Sequence, residues 1–314
     1  MDDFKQLELK IKDYKIKELK SLNKILLYFL NNLSIGNERQ KDISSSYQLK
    51  EIKANVNHFY KELDKRIYTD ILDLLNKENI YYKNQKGIQG LTTIQEDKIH
   101  IIMNLNNSLE DHFLLAHELM HGLVLKNSFP FLKMDERLFE IESHFIEFLL
   151  SDFLLKNKYE ENSILNYNLK RSKMVFRHAH RSFWELNLIN VYNQFGSLEK
   201  DLVYNYFKTS YLVHDQEKIK LIIQGLTKEK FNLNYALRYF WGELISHQLY
   251  TNYKKEPAYN LNLFKNYIYN NSSLTFEKGL EKLNISFNPQ IINNYAKYVK
   301  NNQLKLKTLE KKYK

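Results

Sequence analysis

The sequence predicts a mainly α-helical fold that contains one small antiparallel β-sheet. Apolar residues recur at spacings of three and four through most of the chain, which is the period of an amphipathic helix. Only 8 glycines and 3 prolines occur among the 314 residues, so few positions interrupt a helix. Residues 80–103 depart from this pattern and are rich in β-prone residues. We therefore expect helices on both sides of a short sheet.

Residues 1–78 are predicted to form an N-terminal helical layer. Two amphipathic stripes support this prediction, one from Leu19 to Phe29 and a longer one from Leu49 to Leu74. The polar segment 31–46 separates them and is predicted to be a break. The pattern assigns packing, and no chemistry, to this layer. Residues 79–314 are predicted to form the domain that carries the chemistry.

Composition limits the partners that the chain can have. The formal net charge is +10, but 47 basic residues are interspersed with 37 acidic ones along amphipathic helices, so nucleic acid is not an expected partner. The chain has no cysteine, which excludes disulfides and thiolate metal sites and is compatible with a reducing cytoplasm. The N-terminal segment lacks the pattern of a signal peptide, and its apolar run 25–30 is too short to span a membrane. We expect a cytoplasmic protein with no membrane partner, and the oligomeric state stays open.

The predicted sheet consists of three segments. Residues 80–82 are β-prone, residues 86–91 contain both glycines of the region, and residues 99–103 form an apolar run after the turn-like segment 96–98. A sheet edge can pair with the backbone of an extended peptide whatever its side chains are. The candidate substrate-binding residues on this edge are Gly87, Ile88, Gln89 and Gly90. A purely structural hairpin is the alternative.

The candidate catalytic motif of the sequence is His117-Glu118-Leu119-Met120-His121. Two histidines four residues apart lie on the same face of a helix, so their imidazoles can bind one zinc ion. Glu118 then lies beside the metal, where it can take a proton from a zinc-bound water and pass it to a leaving amine. A capping signal at 108–111 is predicted to start this helix, and residues 127–130 are predicted to end it. The motif predicts one Zn²⁺ per chain.

The third zinc ligand is expected on the following helix. Glu140 and Glu142 are both candidates, but residues two apart point to nearly opposite sides of a helix, so only one of them can face the metal. We select Glu140 because it belongs to a polar stripe in an otherwise apolar helix, and buried polar groups need partners. Glu142 is the main rival. Glu147, two turns further along the stripe, is a candidate to orient a zinc-binding imidazole, and a surface carboxylate is the alternative.

These segments resemble the oligoendopeptidase F and thimet oligopeptidase family of zinc peptidases over about residues 55–312. Residues 99–124 are similar to the strand, helix cap and metal helix of the family, in the same order. Residues 140–150 are similar to its third-ligand helix, in which the first glutamate binds zinc, so the resemblance also supports Glu140. Lys86-Gly87 resembles the substrate-side strand of oligoendopeptidase F. The resemblance implies a helical, zincin-type metallopeptidase fold for residues 79–314.

The resemblance extends to a helical segment, Tyr239-Phe240-Trp241-Gly242-Glu243. In the family, tyrosines near such a segment stabilise the tetrahedral oxyanion, which implies this role for Tyr239 and for Tyr235 one turn earlier. The family also has a loop histidine, but Thr227 or Glu229 falls at that position here. Family members are longer, and the large N-terminal half that narrows their channel is largely replaced here by two helices.

The sequence therefore predicts a zinc-dependent endopeptidase that hydrolyses oligopeptides or one specific peptide precursor. The abbreviated length favours the dedicated processing role. One alternative is a regulatory zinc peptidase of the ImmA/IrrE type that cleaves a repressor protein, for which Glu142 would better match the third ligand. Another is a non-catalytic helical binding protein, which the missing loop histidine and the basic tail at residues 300–314 favour.

Overall fold

The computed structural model describes residues 3–12, 19–33, 35, 46–76, 80–82, 89–128, 134–211, 213, 215–228, 232–270 and 274–312. Most of them are helical, and three short strands precede the helix that carries the two motif histidines. The predicted class, mainly α with one small sheet ahead of the helix that carries His117 and His121, is confirmed. Within the described residues, every helix is too short or too polar to cross a lipid bilayer.

The helices follow one another along nearly the whole chain, with a 3₁₀ turn at Glu136–Leu138. They are α1 (Asp3–Ile11), α2 (Leu19–Asn32), α3 (Leu49–Leu63), α4 (Lys65–Asn76), α5 (Glu110–Ser128), α6 (Ile141–Lys156), α7 (Glu161–Phe195), α8 (Lys200–Tyr211), α9 (Gln216–Lys228), α10 (Leu233–Tyr253), α11 (Pro257–Tyr269), α12 (Phe276–Lys282) and α13 (Pro289–Lys312).

The sheet contains β1 (Ile80–Tyr82), β2 (Gly90–Gln95) and β3 (Lys98–Met103) in the order β1-β3-β2. β2 and β3 form the predicted antiparallel hairpin, whose two turn residues, Glu96 and Asp97, both have positive φ angles, as tight hairpin turns require. The prediction of a wholly antiparallel sheet is wrong, because β1 pairs with β3 in parallel. The tight hairpin places β2 along one edge of β3, which leaves the other edge of β3 for β1. At that edge β1 and β3 run in the same direction.

The chain divides into two compact units, Met1–Leu33 with Val175–Phe240 and Ser34–Met174 with Trp241–Lys314. In the first unit, α1 packs against α9, and Leu26 and Phe29 of the first predicted stripe are buried. The Phe29 ring meets the edge of Phe240 at 5.0 Å between ring centres. The functional division predicted after residue 78 stays a prediction.

In the second unit, α5 is buried between the helices α3 and α4 and the sheet. The Tyr60 hydroxyl of α3 donates a hydrogen bond to the carbonyl oxygen of Ala116 (2.7 Å). Gly122 allows both α4 and the sheet to approach closely, because a Cβ atom there would lie 3.2 Å from Leu74 Cδ1 of α4 and 3.4 Å from Ile101 Cδ1 of β3. Packing on both sides fixes the rotation of α5, and with it the direction of the motif side chains.

Candidate active site

Helix α5 begins at Glu110, inside the predicted capping segment. The Asp111 carboxylate accepts hydrogen bonds from the backbone N–H groups of Asn106 and Ser108, both at 3.0 Å, and so holds the chain that enters the helix. The helix ends at Ser128, within the predicted terminating segment 127–130. His117, Glu118 and His121 lie in its middle turns.

The three predicted ligands converge in the second unit. Nε2 of His117 lies 3.4 Å from Oε2 of Glu140, and Nε2 of His121 lies 3.5 Å from the same oxygen. The ligand atoms of these three side chains all lie within 4.8 Å of one another. Ligand atoms on a tetrahedral zinc ion, at bonds of about 2.1 Å, are separated by about 3.4 Å. Two imidazoles, one carboxylate and these spacings therefore fit a zinc site with a coordination position left for water or substrate.

A second carboxylate lies behind each imidazole. Nδ1 of His117 donates a hydrogen bond to Glu147 Oε1 (2.6 Å), and Nδ1 of His121 donates one to Glu142 Oε1 (3.2 Å). Such bonds fix the tautomer and ring orientation, so that both Nε2 atoms are left for a metal. Glu142 thus contacts the outer nitrogen of His121, whereas Glu140 lies among the Nε2 atoms. This placement favours Glu140 over its rival, and it gives Glu142 an orienting position that the sequence analysis missed.

Glu140 immediately precedes α6 and packs closely against α10. A Cβ atom on Gly242 would lie 2.5 Å from Glu140 Cβ and 3.1 Å from its carbonyl carbon, so only glycine allows this approach. One turn further along α10, the Ser246 hydroxyl donates a hydrogen bond to the carbonyl oxygen of Ile141 (2.6 Å). The two contacts fix the start of α6, and with it the backbone that carries Glu140.

We expect Gly242→Ala to weaken zinc binding by about 10–100-fold, because the added methyl group must displace Glu140. Zinc affinity is measured by competition with a chromophoric chelator. Gly225→Ala is the matched control, since a Cβ atom at Gly225, also within a helix, would meet no atom within 4 Å. An alanine at Gly242 that leaves zinc affinity equal to that of the control would contradict this account of the Glu140 position.

Burial and hydrogen bonds between charged groups strongly shift the pKa values of His117, His121 and Glu140. Burial lowers the pKa of His121, but hydrogen bonds to Glu140 and Glu142 outweigh it and raise the pKa to about 9. Burial likewise lowers the pKa of His117, and its bonds to Glu140 and Glu147 raise it well above the ordinary value. For the Glu140 carboxyl, burial raises the pKa. Hydrogen bonds to His117 and His121 outweigh burial and lower this pKa to well below its usual range. The neighbouring carboxylates thus favour the protonated form of both imidazoles, and a metal that binds at these Nε2 atoms would have to displace their protons.

A buried charged network supports Glu147 from the far side. The Arg171 guanidinium donates from Nη1 to Glu147 Oε2 (2.8 Å) and from Nε to Glu243 Oε1 (3.1 Å). Nδ1 of His144 lies 3.0 Å from Glu243 Oε2, and the Tyr295 hydroxyl donates to Glu243 Oε1 (3.0 Å). Burial raises the pKa of Glu147, but His117 and Arg171 lower it to about 2. Glu147 is therefore a buried, ionised carboxylate, and its predicted orienting contact with His117 is present.

Glu118 lies against strand β2. Its carboxylate is buried and accepts a hydrogen bond from the Thr92 hydroxyl at Oε2 (2.6 Å). Gly90 packs on the same side chain, since a Cβ atom there would lie 2.8 Å from both Glu118 Cδ and Leu114 Cδ1. Of the four predicted substrate-binding residues, Gly90 thus contacts Glu118, and the carbonyl oxygen of Gln89 accepts a hydrogen bond from the Asn104 N–H (2.8 Å). The other two, Gly87 and Ile88, lie outside the described residues.

The two predicted oxyanion tyrosines lie on α10 in the first unit. Their ring centres are 5.1 Å apart, and the His178 ring stacks on Tyr239 at 4.7 Å. The guanidinium of Arg238 lies over both rings and donates to the Tyr239 hydroxyl (3.3 Å). His117, His121 and Glu140 belong to the other unit, so the roles of Tyr235 and Tyr239 stay predictions.

At the position of the missing loop histidine, the Thr227 hydroxyl donates to the carbonyl oxygen of Ile223 (2.8 Å), and Glu229 lies outside the described residues.

No protein-family model and no curated protein matches the sequence. Solved structures do match. A chain from Chlamydophila abortus assigned as a peptidase has a TM-score of 0.66 at 16% identity and covers 97% of this chain and 55% of its own. A chain from Bacillus anthracis str. Ames assigned as an oligoendopeptidase F has a TM-score of 0.58 at 15% identity, with 91% and 56% covered. PZ peptidase A, solved with an inhibitor, has a TM-score of 0.65 at 13% identity, with 92% and 59% covered.

This chain therefore spans little more than half the length of the structures that it matches. The likeness covers more than nine tenths of the chain itself, and the expected resemblance is confirmed at the level of the fold. The chain has an oligoendopeptidase F-like fold.

Proposed function

We propose that the chain is a zinc-dependent endopeptidase in which His117, His121 and Glu140 bind the metal and Glu118 is the general base. The observation that carries this proposal is the convergence of two Nε2 atoms and one carboxylate oxygen within 4.8 Å of one another. Glu118 follows His117 directly on the same buried helix. The oligoendopeptidase F-like fold supports peptides as the substrate class, either oligopeptides or a specific peptide precursor.

Each side chain has a defined task in this proposal. Zinc, when bound, supplies Lewis acidity, which polarises a carbonyl group and lowers the pKa of a water molecule. Glu118 accepts a proton from the attacking water and returns it to the amine nitrogen of the leaving peptide, so that the C–N bond breaks and two neutral products form. Glu147 and Glu142 keep the two imidazoles in place through their Nδ1 atoms.

We propose that the substrate binds as an extended chain along the segment Gly87–Gly90, which leads into β2. This strand is at the edge of the described sheet and lies directly against Glu118. Backbone pairing at such an edge is independent of side-chain identity, and the segment Gly87–Gly90 is proposed to provide it. Tyr239, with Tyr235 beside it, is proposed to stabilise the oxyanion, as the family resemblance implies. The placement of Glu142 behind His121 gives no support to the repressor-cleaving alternative.

The test is cleavage of a peptide mixture by the zinc-loaded protein, followed by mass spectrometry. Glu118→Gln is expected to lower cleavage by about 10²–10⁴-fold, because the amide cannot accept the proton of the water. Its zinc content should stay at that of the wild type. Glu110→Gln makes the same chemical change at the start of the same helix, where Glu110 pairs with Lys170 at the surface, and should leave cleavage unchanged.

Two outcomes would contradict the proposal. Equal cleavage by the wild type and by Glu118→Gln would remove Glu118 from the reaction. Stoichiometric zinc without cleavage of any peptide would instead indicate the helical binding protein in which the metal has a structural role.

A further inference from the structure

The hydroxyl of Thr92 contacts Glu118, although Thr92 lies outside the motif and outside the segment proposed to pair with substrate. Its Oγ1 lies 2.6 Å from Glu118 Oε2 and 3.1 Å from the Glu118 carbonyl oxygen. A threonine hydroxyl has one hydrogen to donate. The carboxylate accepts the shorter and stronger bond, so the Thr92 hydroxyl hydrogen points to Glu118 Oε2.

The two oxygens of Glu118 consequently have different surroundings. Oε2 accepts the Thr92 hydrogen bond, whereas Oε1 lies over Gly90, where there is no side chain to cover it. A general base needs one oxygen directed at the water and within hydrogen-bonding reach of it. Binding one oxygen to the strand leaves the other available and limits rotation of the carboxylate.

We propose that Thr92 is a positioning residue that holds the Glu118 carboxylate in its reactive orientation. The proposal rests on the proposed function, because it assigns Thr92 a part in the reaction of Glu118. The segment Gly87–Gly90 is proposed to pair with the peptide, and Thr92, two residues further along the chain, orients the base. Substrate and base are in this way aligned by neighbouring parts of the same stretch of chain.

A structural tie between β2 and α5 is the alternative role, and it makes different predictions. If Thr92 only connected β2 to α5, removing its hydroxyl would lower the free energy of unfolding without a selective effect on kcat. A positioning role lowers kcat and leaves KM unchanged, because the substrate is proposed to bind through the backbone of Gly87–Gly90 and not through the Thr92 hydroxyl.

The experiment compares Thr92→Val, Thr92→Ser and Thr93→Val in zinc-loaded protein. Valine keeps the shape of threonine without its hydroxyl, serine restores the hydroxyl, and Thr93 is the next residue on β2, whose side chain points to the other face of the sheet. We expect Thr92→Val to lower kcat by about tenfold or more, with KM and zinc content unchanged. Thr92→Ser should recover most of the loss, and Thr93→Val should match the wild type.

A second readout does not depend on activity. In metal-free protein, Thr92→Val should lower the unfolding midpoint when Glu118 is present and should have little effect in a Glu118→Ala background, because the hydrogen-bond partner is then absent. The proposal is overturned by an unchanged kcat in Thr92→Val, by a loss that serine does not recover, or by equal shifts in both backgrounds. A wild type that cleaves no peptide overturns the proposed function and the role of Thr92 with it, and the midpoint shifts then still report the hydrogen bond.

Discussion

Glu140→Gln is expected to lose stoichiometric zinc, whereas Glu142→Gln is expected to keep it with an affinity lowered by about 10–100-fold. The two variants make the same isosteric change two residues apart on one buried segment. Glu140 presents its carboxylate to both Nε2 atoms at 3.4 and 3.5 Å, and Glu142 contacts only the outer nitrogen of His121. Glu140→Gln thus removes a proposed ligand of the metal, whereas Glu142→Gln weakens the hydrogen bond that orients the His121 ring.

Zinc content after gel filtration and competition with a chromophoric chelator measure this difference. The loss of affinity in Glu140→Gln should exceed about 100-fold, the upper end of the range for residues that only orient a ligand. The Glu142 variant is itself the control, because both side chains are buried and both changes replace a carboxyl group by an amide of the same shape. Retention of zinc by Glu140→Gln together with its loss from Glu142→Gln would exchange the two roles and favour the regulatory type of peptidase.

The second large effect is expected from Arg171→Met, which should destabilise the protein by about 3–5 kcal/mol. Methionine fills a similar volume but leaves Glu147 and Glu243 buried without the cation that pairs with both. The Arg171 guanidinium also lies over the Phe148 ring, with Cζ 4.0 Å from the ring centre, and this contact is lost as well. Zinc affinity should fall in parallel, because Glu147 orients His117.

Lys170→Met is the matched control, since Lys170 is the preceding residue on the same helix and forms an exposed ion pair with Glu110. Its removal should change the free energy of unfolding by less than about 1 kcal/mol. Denaturant unfolding of the metal-free proteins separates this effect from that of zinc. Equal stability of the two variants would show that the buried network contributes no more than a surface ion pair.

The convergence of His117, His121 and Glu140 was largely predictable from the sequence because much of the information for it is local. His117 and His121 are four residues apart, and helical geometry alone places them on one face. The choice of Glu140 needed the polar stripe and the family resemblance, because two carboxylates two residues apart differ only in the direction in which they point. In the structure, Glu140 lies at the Nε2 side of the His121 ring and Glu142 lies at its Nδ1 side.

The parts that could not be predicted depend on contacts between distant residues. Arg171 and Glu243 are 72 residues apart on different helices, and no local pattern connects them. Thr92 is an ordinary strand residue in the sequence, and only the packing of β2 on α5 brings its hydroxyl to Glu118. The parallel pairing of β1 was missed for a similar reason, because strand order follows from the path of the chain and not from residue type.

The central claim is that peptide hydrolysis depends on one zinc ion held by His117, His121 and Glu140. Its most direct test is a titration of metal-free protein with zinc while cleavage of a peptide substrate is followed. The account predicts that activity rises in proportion to added zinc and reaches its maximum at one equivalent per chain. Full cleavage by the metal-free protein, or tight binding of one equivalent with no cleavage, would contradict it.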